Sequence, residues 1–296
     1  MIWESSRRVV AVIAVTLISL AFVWLTAENH QAQVLSSDPE NATKTRLQPI
    51  VEGILSAWDK FDVVCLGEDH GGKNDSDLRI TLVQHSDFIR KVKVIMVESA
   101  NVAHQDILDR FILEGEDMSR EKLRAVWSDA NGAEVWESPI YEAFFRAVRK
   151  INLAVPRDQR IRVLGGDDPK IPNRGRFIRE AVSREILDKK LKGLTIYGAG
   201  HCECRGGGFP GELEDKYPGR IWAAFSFYQV EEGRRVFGLG DQPQLIPITG
   251  TEKAKVTAAK MFFLGRYNDP ATLGDIANAI VYYGNIKDVK VPSSKQ

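Results

Sequence analysis

The sequence predicts a mixed α/β protein with a mainly parallel central sheet and helices on both faces, preceded by an N-terminal membrane helix or signal peptide. Three observations indicate this class. Short apolar segments alternate with helical patterns from about residue 60 to residue 284, as in parallel sheets with crossover helices. Four successive apolar segments end in acidic or imidazole side chains. An uncharged apolar run at residues 9–27 precedes them all.

The composition indicates one globular domain and excludes some partners. The chain has 296 residues and is 44% hydrophobic, enough to bury one sizeable core, which we expect within residues 49–296. Lys and Arg number 40 and Asp and Glu number 40, so no net field attracts a polyanion. We therefore expect no nucleic-acid partner.

The N-terminal run is the clearest targeting signal. Residues 9–27 follow Arg7 and Arg8 and precede Glu28, and their length suits a membrane helix or a signal peptide. An uncleaved anchor is favoured, because the run is longer than a usual signal core and no clean small-residue cleavage site follows. Basic residues before the run predict a domain on the extracytoplasmic side, membrane-anchored or secreted. Residues 28–48 are polar and predict a linker.

Strands and helices follow in alternation. After a first strand at residues 62–67, Leu78, Leu82, His85 and Ile89 fall on one helical face. A second strand, two helical segments and a third strand come next, followed by a long helix and a fourth strand. Two further strands are predicted, the second of them antiparallel, before a last strand closes the domain. These later strands are expected at 92–99, 161–168, 194–201, 220–230, 234–240 and 277–284.

Ionisable residues gather at the ends of the first four predicted strands. If the strands are parallel, their carboxyl ends lie along one rim, where open α/β sheets bind ligands. A purely structural sheet has no reason to place such groups there, because burying an unpaired charge costs several kcal/mol. The sequence therefore predicts one site at this rim. Its candidate residues are Glu68, Asp69, His70, Glu98, Asp167, Asp168 and His201.

A metal site at the three cysteines is not favoured, and at least one of them is expected to be unpaired. Cys65 lies inside the first strand and is expected to behave as a small buried hydrophobe. Cys202 and Cys204 flank Glu203 beside His201, and this spacing is not that of a zinc knuckle. A bridge between these two would close a strained small ring.

The motifs "LGEDHG", "VIMVES", "VRKINLAVPRDQRIRVLGGDDP" and "YGAGH" resemble the erythromycin esterase, ChaN-like and Tiki superfamily. The resemblance covers about residues 60–284 and implies a mixed α/β fold with a His and Glu site. The doubled GxxH pattern resembles metal-dependent Tiki proteases, and "GEDH" resembles haem-binding ChaN-like members. Arg79 and Glu98 after His70 resemble the esterase-like members, whose histidine activates water without a metal.

The spacing at the first motif departs from that esterase-like pattern. One residue separates Glu68 from His70 where the esterase-like members have two. The resemblance therefore leaves open whether Glu68, Asp69 or neither is the equivalent carboxylate.

The chemistry of these residue types predicts a hydrolase of an ester or amide. A neutral imidazole at His70 can take a proton from water, while Glu68 or Glu98 fixes its tautomer. An ionised carboxylate beside it is expected to raise its pKa above about 6.5. Arg79 or His201 is expected to stabilise oxyanion charge. Contacts to a small-molecule or peptide substrate are predicted for Asp69, Asp167 and Arg205.

Two alternatives remain open from the sequence. His70, Glu98 and His201 would form a three-ligand open site if the reaction depends on a divalent metal. A non-catalytic binder of haem or metal would need an apolar slot beside an axial ligand, and Tyr197, Phe209 or Trp222 could line one. The cofactor is thus a metal, haem or none.

Overall fold

The computed structural model describes residues 39–205, 207–226, 230–258 and 271–293. The apolar run at 9–27 and residues 28–38 of the predicted linker lie outside this part of the chain. Among the described residues, no helix is both long enough and apolar enough to span a bilayer. Helix α1, Pro39–Ala57, runs through the last part of the predicted linker. Residues Leu47–Gln296 form one compact unit.

A seven-stranded sheet organises the described residues and confirms the predicted mainly parallel sheet. Its spatial order is β3-β2-β4-β1-β5-β7-β6, in which β6 is antiparallel to β7 and the other neighbours are parallel. The strands are β1 Val63–Glu68, β2 Val94–Asn101, β3 Arg162–Asp167, β4 Gly193–Gly198, β5 Ile221–Ser226, β6 Gln244–Pro247 and β7 Ala279–Tyr282.

The connections between strands are mainly helical, as parallel pairing requires. The helices after α1 are α2 Lys73–Gln84, α3 Ser86–Lys91, α4 Gln105–Leu108, α5 Arg120–Ser128, α6 Ala133–Trp136, α7 Pro139–Leu153, α8 Arg174–Val182, α9 Phe209–Leu213, α10 Val230–Phe237 and α11 Leu273–Ile276. Short π-helical segments continue α4 through Asp109–Leu113 and α8 through Ser183–Leu187.

Apolar side chains cover both faces of the sheet. In β1, Val64 and Leu66 belong to one buried cluster, and Val63 and Cys65 belong to another. Because successive strand residues point to opposite faces, the two clusters lie on opposite sides of the sheet. The first cluster draws side chains from α1, α2, α3, α5 and α7, and the second draws them from α8, α9 and α11.

Two local predictions were wrong. Residues 234–240 were expected to form a strand, but α10 extends to Phe237 and the antiparallel edge strand is β6 instead. Charged residues spaced along "VEEGRR" suit a helix, and Arg234 pairs with Glu231 one turn away. The helix after β1 was expected to carry His85 on its apolar face, yet this helix ends just before His85. His85 is half-buried, and its Nδ1 accepts a hydrogen bond from the Asp87 amide, capping α3.

Candidate functional site

The sheet order brings the carboxyl ends of β3, β2, β4 and β1 side by side. Glu68 ends β1 directly opposite Gly198, the last residue of β4. His201 closes a 3₁₀ turn, Ala199–His201, that follows β4, and Glu98 lies in β2 beside β4. The structure therefore brings together His70, Glu68, Glu98 and His201 at this rim, with Arg79 behind Glu68, through the following contacts.

Glu68 fixes the orientation of His70. The Nδ1 atom of His70 lies 2.8 Å from Glu68 Oε1, which also accepts a hydrogen bond of 3.1 Å from the Tyr141 hydroxyl. The other carboxylate oxygen, Oε2, pairs with Arg79. A carboxylate that pairs with a guanidinium is an acceptor, so the Nδ1 of His70 carries the proton and Nε2 keeps its lone pair.

The Glu68–Arg79 pair is part of the protein interior. Glu68 is 4% exposed and Arg79 is 3% exposed. The Arg79 guanidinium lies 5.4 Å from the centre of the Tyr141 ring, a cation–π distance. Burial lowers the pKa of Arg79. Arg79 thus holds Glu68 from behind and does not reach the rim, contrary to the prediction that it stabilises oxyanion charge.

Burial lowers the pKa of His70, although Glu98 and Asp69 act to raise it. This corrects the expectation that a neighbouring carboxylate raises that pKa: withdrawal from solvent disfavours the imidazolium more than the carboxylates favour it. The ring is therefore neutral at neutral pH, the form a general base needs.

The neutral ring of His70 is also held sterically. A Cβ on Gly198 would lie 3.0 Å from both Cε1 and Nε2 of His70, so glycine allows the imidazole to lie against β4. Trp136 meets the imidazole in an edge-to-face contact with ring centres 4.7 Å apart. Tyr141 packs edge-to-face on Trp136 at 4.8 Å. These neighbours fix the direction in which Nε2 points.

Glu98 faces both histidines. Its Oε2 lies 4.0 Å from His70 Nε2, and its Oε1 lies 3.7 Å from His201 Nε2. The Gly198 amide donates a 2.5 Å hydrogen bond to Oε2. Burial would raise the pKa of Glu98, but His70, His201, the Gly198 amide and Arg174 together hold it below its usual value. Glu98 is thus an anion between two imidazoles.

Arg174 is a site residue that the sequence analysis missed. Its Nη2 pairs with Glu98 Oε1, its Nε donates to Asp167 Oδ1 at 2.8 Å, and its Nη1 lies 3.3 Å from His201 Nε2. Because guanidinium only donates, His201 Nε2 accepts and its proton lies on Nδ1. Burial lowers the pKa of His201, with Glu98 opposing. Arg174 begins α8, close behind the end of β3, which is the one signal that could have found it.

The three residues predicted to contact a substrate each pair with another side chain of the protein. Asp167 is fully buried and bound by Arg174 and by the side chain of Asn131, so it supports Arg174 instead of reaching a substrate. Asp69 pairs with Lys290 at 2.5 Å. Arg205 pairs with Asp275 in α11 at 3.4 Å.

The predicted metal ligands do not fit a divalent cation. Within the described ranges, His, Cys, Asp and Glu form no group of three that could hold an ion. The guanidinium of Arg174 already occupies Glu98 Oε1 and faces His201 Nε2, where a cation would have to bind. The three aromatic residues considered for a haem slot do not lie together: Trp222 packs on one face of the sheet, while Tyr197 and Phe209 pack on the other.

The cysteine predictions were wrong in one respect. Cys65 is buried as expected, but it forms a disulfide with Cys202, 137 residues away, with Cα atoms 5.6 Å apart. Cys204 is the free cysteine.

Comparisons with known proteins give evidence about the fold alone. No protein-family model matches the chain, and no curated protein matches it. The crystal structure of a Bacillus cereus protein superposes with a TM-score of 0.52 at 11% identity, covering 78% of this chain and 90% of that one. A succinoglycan biosynthesis protein gives 0.42 at 10% identity, over 60% of this chain and 68% of its own. RRSP, a MARTX toxin effector domain from Vibrio vulnificus, gives 0.37 at 14% identity, over 88% of this chain and 45% of its own.

The first of these likenesses is close enough to indicate a shared fold, and the other two are too distant to carry an argument. At 11% identity the Bacillus cereus structure shows the fold alone. The superposition therefore supports the mixed α/β fold, and no family is shown for this chain.

Proposed function

We propose that this protein hydrolyses an ester or amide bond, with His70 as the general base. The observation that carries the proposal is the environment of the two ring nitrogens of His70. Nδ1 lies 2.8 Å from Glu68 Oε1, and Nε2 faces Glu98 Oε2 across 4.0 Å. A water molecule with hydrogen bonds of about 2.8 Å to both atoms fits that separation. Such a water lies where the unprotonated Nε2 can take its proton.

The reaction then uses His70 twice. As the water oxygen attacks the acyl carbon, its proton moves to His70 Nε2, and the carbonyl electron pair moves to the substrate oxygen. The Glu68 carboxylate stabilises the imidazolium through Nδ1. When the tetrahedral species collapses, the bond to the leaving group breaks and His70 returns the proton to that group.

Arg174 and His201 are the groups best suited to the oxyanion. The side chains of Arg174 and His201 are 29% and 33% exposed, whereas that of Arg79 is 4% exposed behind Glu68. A cation aimed at developing negative charge in a partly water-excluded site lowers the barrier strongly. We therefore assign to Arg174, with His201, the role that the sequence suggested for Arg79 or His201.

The proposal is tested with the full-length protein on a panel of ester and amide substrates, small molecules and peptides alike. On the best substrate, His70→Ala should lower the rate by about 10²–10⁴, the usual contribution of acid–base catalysis. His85→Ala is the matched control: it removes a half-buried histidine that caps α3 and should reduce stability while sparing turnover. Full activity in the His70→Ala variant would refute the hydrolase and favour the ligand-binding alternative.

We also propose that the domain lies on the outer side of the membrane, anchored through residues 9–27. The charge asymmetry at Arg7, Arg8 and Glu28 supports this orientation. The disulfide between Cys65 and Cys202 supports it as well, because disulfides persist in oxidising compartments. A reporter fused after Gln296 that requires an extracytoplasmic location should be active, and activity of a cytoplasm-dependent reporter would contradict the topology.

A further inference from the structure

The Cys65–Cys202 disulfide joins the two halves of the candidate site. Cys65 lies in β1, three residues before Glu68, and Cys202 directly follows His201. Both cysteines are fully buried. The bond therefore connects the strand that presents Glu68 to the turn that presents His201, although the two are far apart in sequence.

The turn that carries His201 is short and rests directly on β1. A Cβ on Gly67 would lie 2.8 Å from the Cα of Ala199, so the backbones of β1 and the turn are in contact. The Cys202 amide bonds within the turn, to the Ala199 carbonyl at 3.0 Å. Beyond Cys202, the Cys204 amide donates to the Ile276 carbonyl in α11 at 2.9 Å. Cys202 lies between these two contacts along the chain, and its disulfide adds a covalent bond to β1.

We propose that the Cys65–Cys202 disulfide is a positioning element for His201, so that the oxidised chain holds His201 against Glu98 and Arg174 and the reduced chain does not. This inference rests on the proposed function of the site for its effect on turnover. Its effect on the position of His201 stands independently of that function.

Cys204 does not compete for this bond. Its thiol contacts Asn278 Oδ1 at 3.6 Å, and burial raises its pKa to about 12. Thiol–disulfide exchange requires a thiolate, and almost none forms at neutral pH. Cys65 therefore stays paired with Cys202, although Cys204 lies only two residues after Cys202.

Reduction needs an external dithiol or phosphine. With a dithiol, one thiolate attacks a disulfide sulfur to form a mixed disulfide, and the second thiol displaces the cysteine. The dithiol is oxidised to its own disulfide, and Cys65 and Cys202 each end as a thiol carrying one proton. The turn then loses its tie to β1, while the Glu68, Arg79 and Tyr141 contacts around His70 remain.

The test uses the double variant C65A/C202A, with Cys204→Ala as the matched control. Nitrogen-15 NMR of the histidine rings reports the position of His201 without any substrate. We expect the His201 resonances of the double variant to shift toward those of an exposed histidine, while the His70 resonances stay as in the wild type. Wild-type His201 resonances in a double variant of lowered melting temperature would overturn the proposal, because the bond would then only stabilise the fold.

Kinetics supply the second arm. Turnover should fall at least tenfold in C65A/C202A and stay unchanged in Cys204→Ala. If the disulfide acts through His201, removing it from a His201→Ala protein should cost no further activity, since the two changes then affect one interaction. A full additional loss in that background would contradict the proposal.

Two further outcomes remain decisive. If the wild type hydrolyses nothing, the proposed function fails, and the NMR arm still decides the role of the disulfide. If the double variant does not fold, the wild-type protein is treated with tris(2-carboxyethyl)phosphine and its His201 resonances are followed. Unchanged His201 resonances after verified reduction would overturn the proposal.

Discussion

His70 and His201 face the same carboxylate, but different kinds of contact hold them. His70 is fixed through Nδ1 by Glu68, which a buried guanidinium and a tyrosine hydroxyl hold in turn. The C-terminal segment adds to this, because Lys290 donates a 2.9 Å hydrogen bond to the His70 carbonyl. His201 lies on a short turn beside a disulfide, and its contact at the site is the partly exposed Arg174.

This difference matches the two roles proposed for these histidines. The His70 region fixes one tautomer and leaves Nε2 free, as a general base requires. The His201 region places a cation and an imidazole side by side at the solvent-facing rim, as stabilisation of negative charge requires. One half of the site thus depends on buried charges, and the other half depends on a tethered turn.

The largest effect should come from breaking the buried pair. Glu68→Gln leaves Arg79 buried without its counter-ion, which should destabilise the protein by about 3–5 kcal/mol. Turnover should fall as well, because His70 loses the carboxylate that stabilises its imidazolium. Chemical denaturation and the ester and amide panel measure the two effects.

The double variant E68Q/R79M separates stability from catalysis in the His70 region. Removing both charges should restore much of the lost stability, since no unpaired buried charge remains, while turnover stays low. Recovery of turnover along with stability would show that Glu68 only serves the fold.

In the His201 region, substitutions of Arg174 provide the corresponding test. Arg174→Met should lower the turnover number by about 10²–10³, the loss typical of one oxyanion donor. Arg174→Lys should recover part of it, because the charge remains but the paired contacts to Glu98 and Asp167 do not. The control is Arg176→Met, which removes an exposed arginine of the same helix that pairs with Glu180 at 2.7 Å. Equal effects of the two methionine variants would argue against a catalytic role for Arg174.

The two halves also differ in how far the sequence could predict them. His70, Glu98 and His201 were found because apolar runs predict parallel strands and polar residues at their ends must meet on one rim. Arg174 was missed because α8 also carries Arg176 and Arg179, and only its place at the start of the helix distinguishes it from them. Sequence spacing cannot reveal a bond between Cys65 and Cys202, because their proximity depends on the turn after β4 packing against β1.

Tyr141 illustrates a second limit. In the sequence it lies in an apolar helical pattern, where an aromatic residue is expected to be core. It is buried, yet its hydroxyl donates to Glu68 Oε1 and accepts from the Gly71 amide at 3.0 Å. This role depends on which helix packs behind the rim, and the amino-acid composition does not determine that packing. The prediction of a strand at 234–240 was wrong for a different reason. Over so short a stretch, its apolar residues fit the spacing of a helix as well as that of a strand.

The central claim is that His70 is a neutral base whose pKa lies below its ordinary value, because burial outweighs the attraction of Glu98 and Asp69. Its most direct test is the pH dependence of kcat/KM, which reports the essential groups of the free enzyme. A base must be unprotonated to act, so activity should rise with pH through a single ionisation with a midpoint below about 6.5 and then level off. His201→Ala should keep that midpoint while lowering the plateau. A midpoint above about 6.5, or activity that falls as pH rises through this range, would contradict the account.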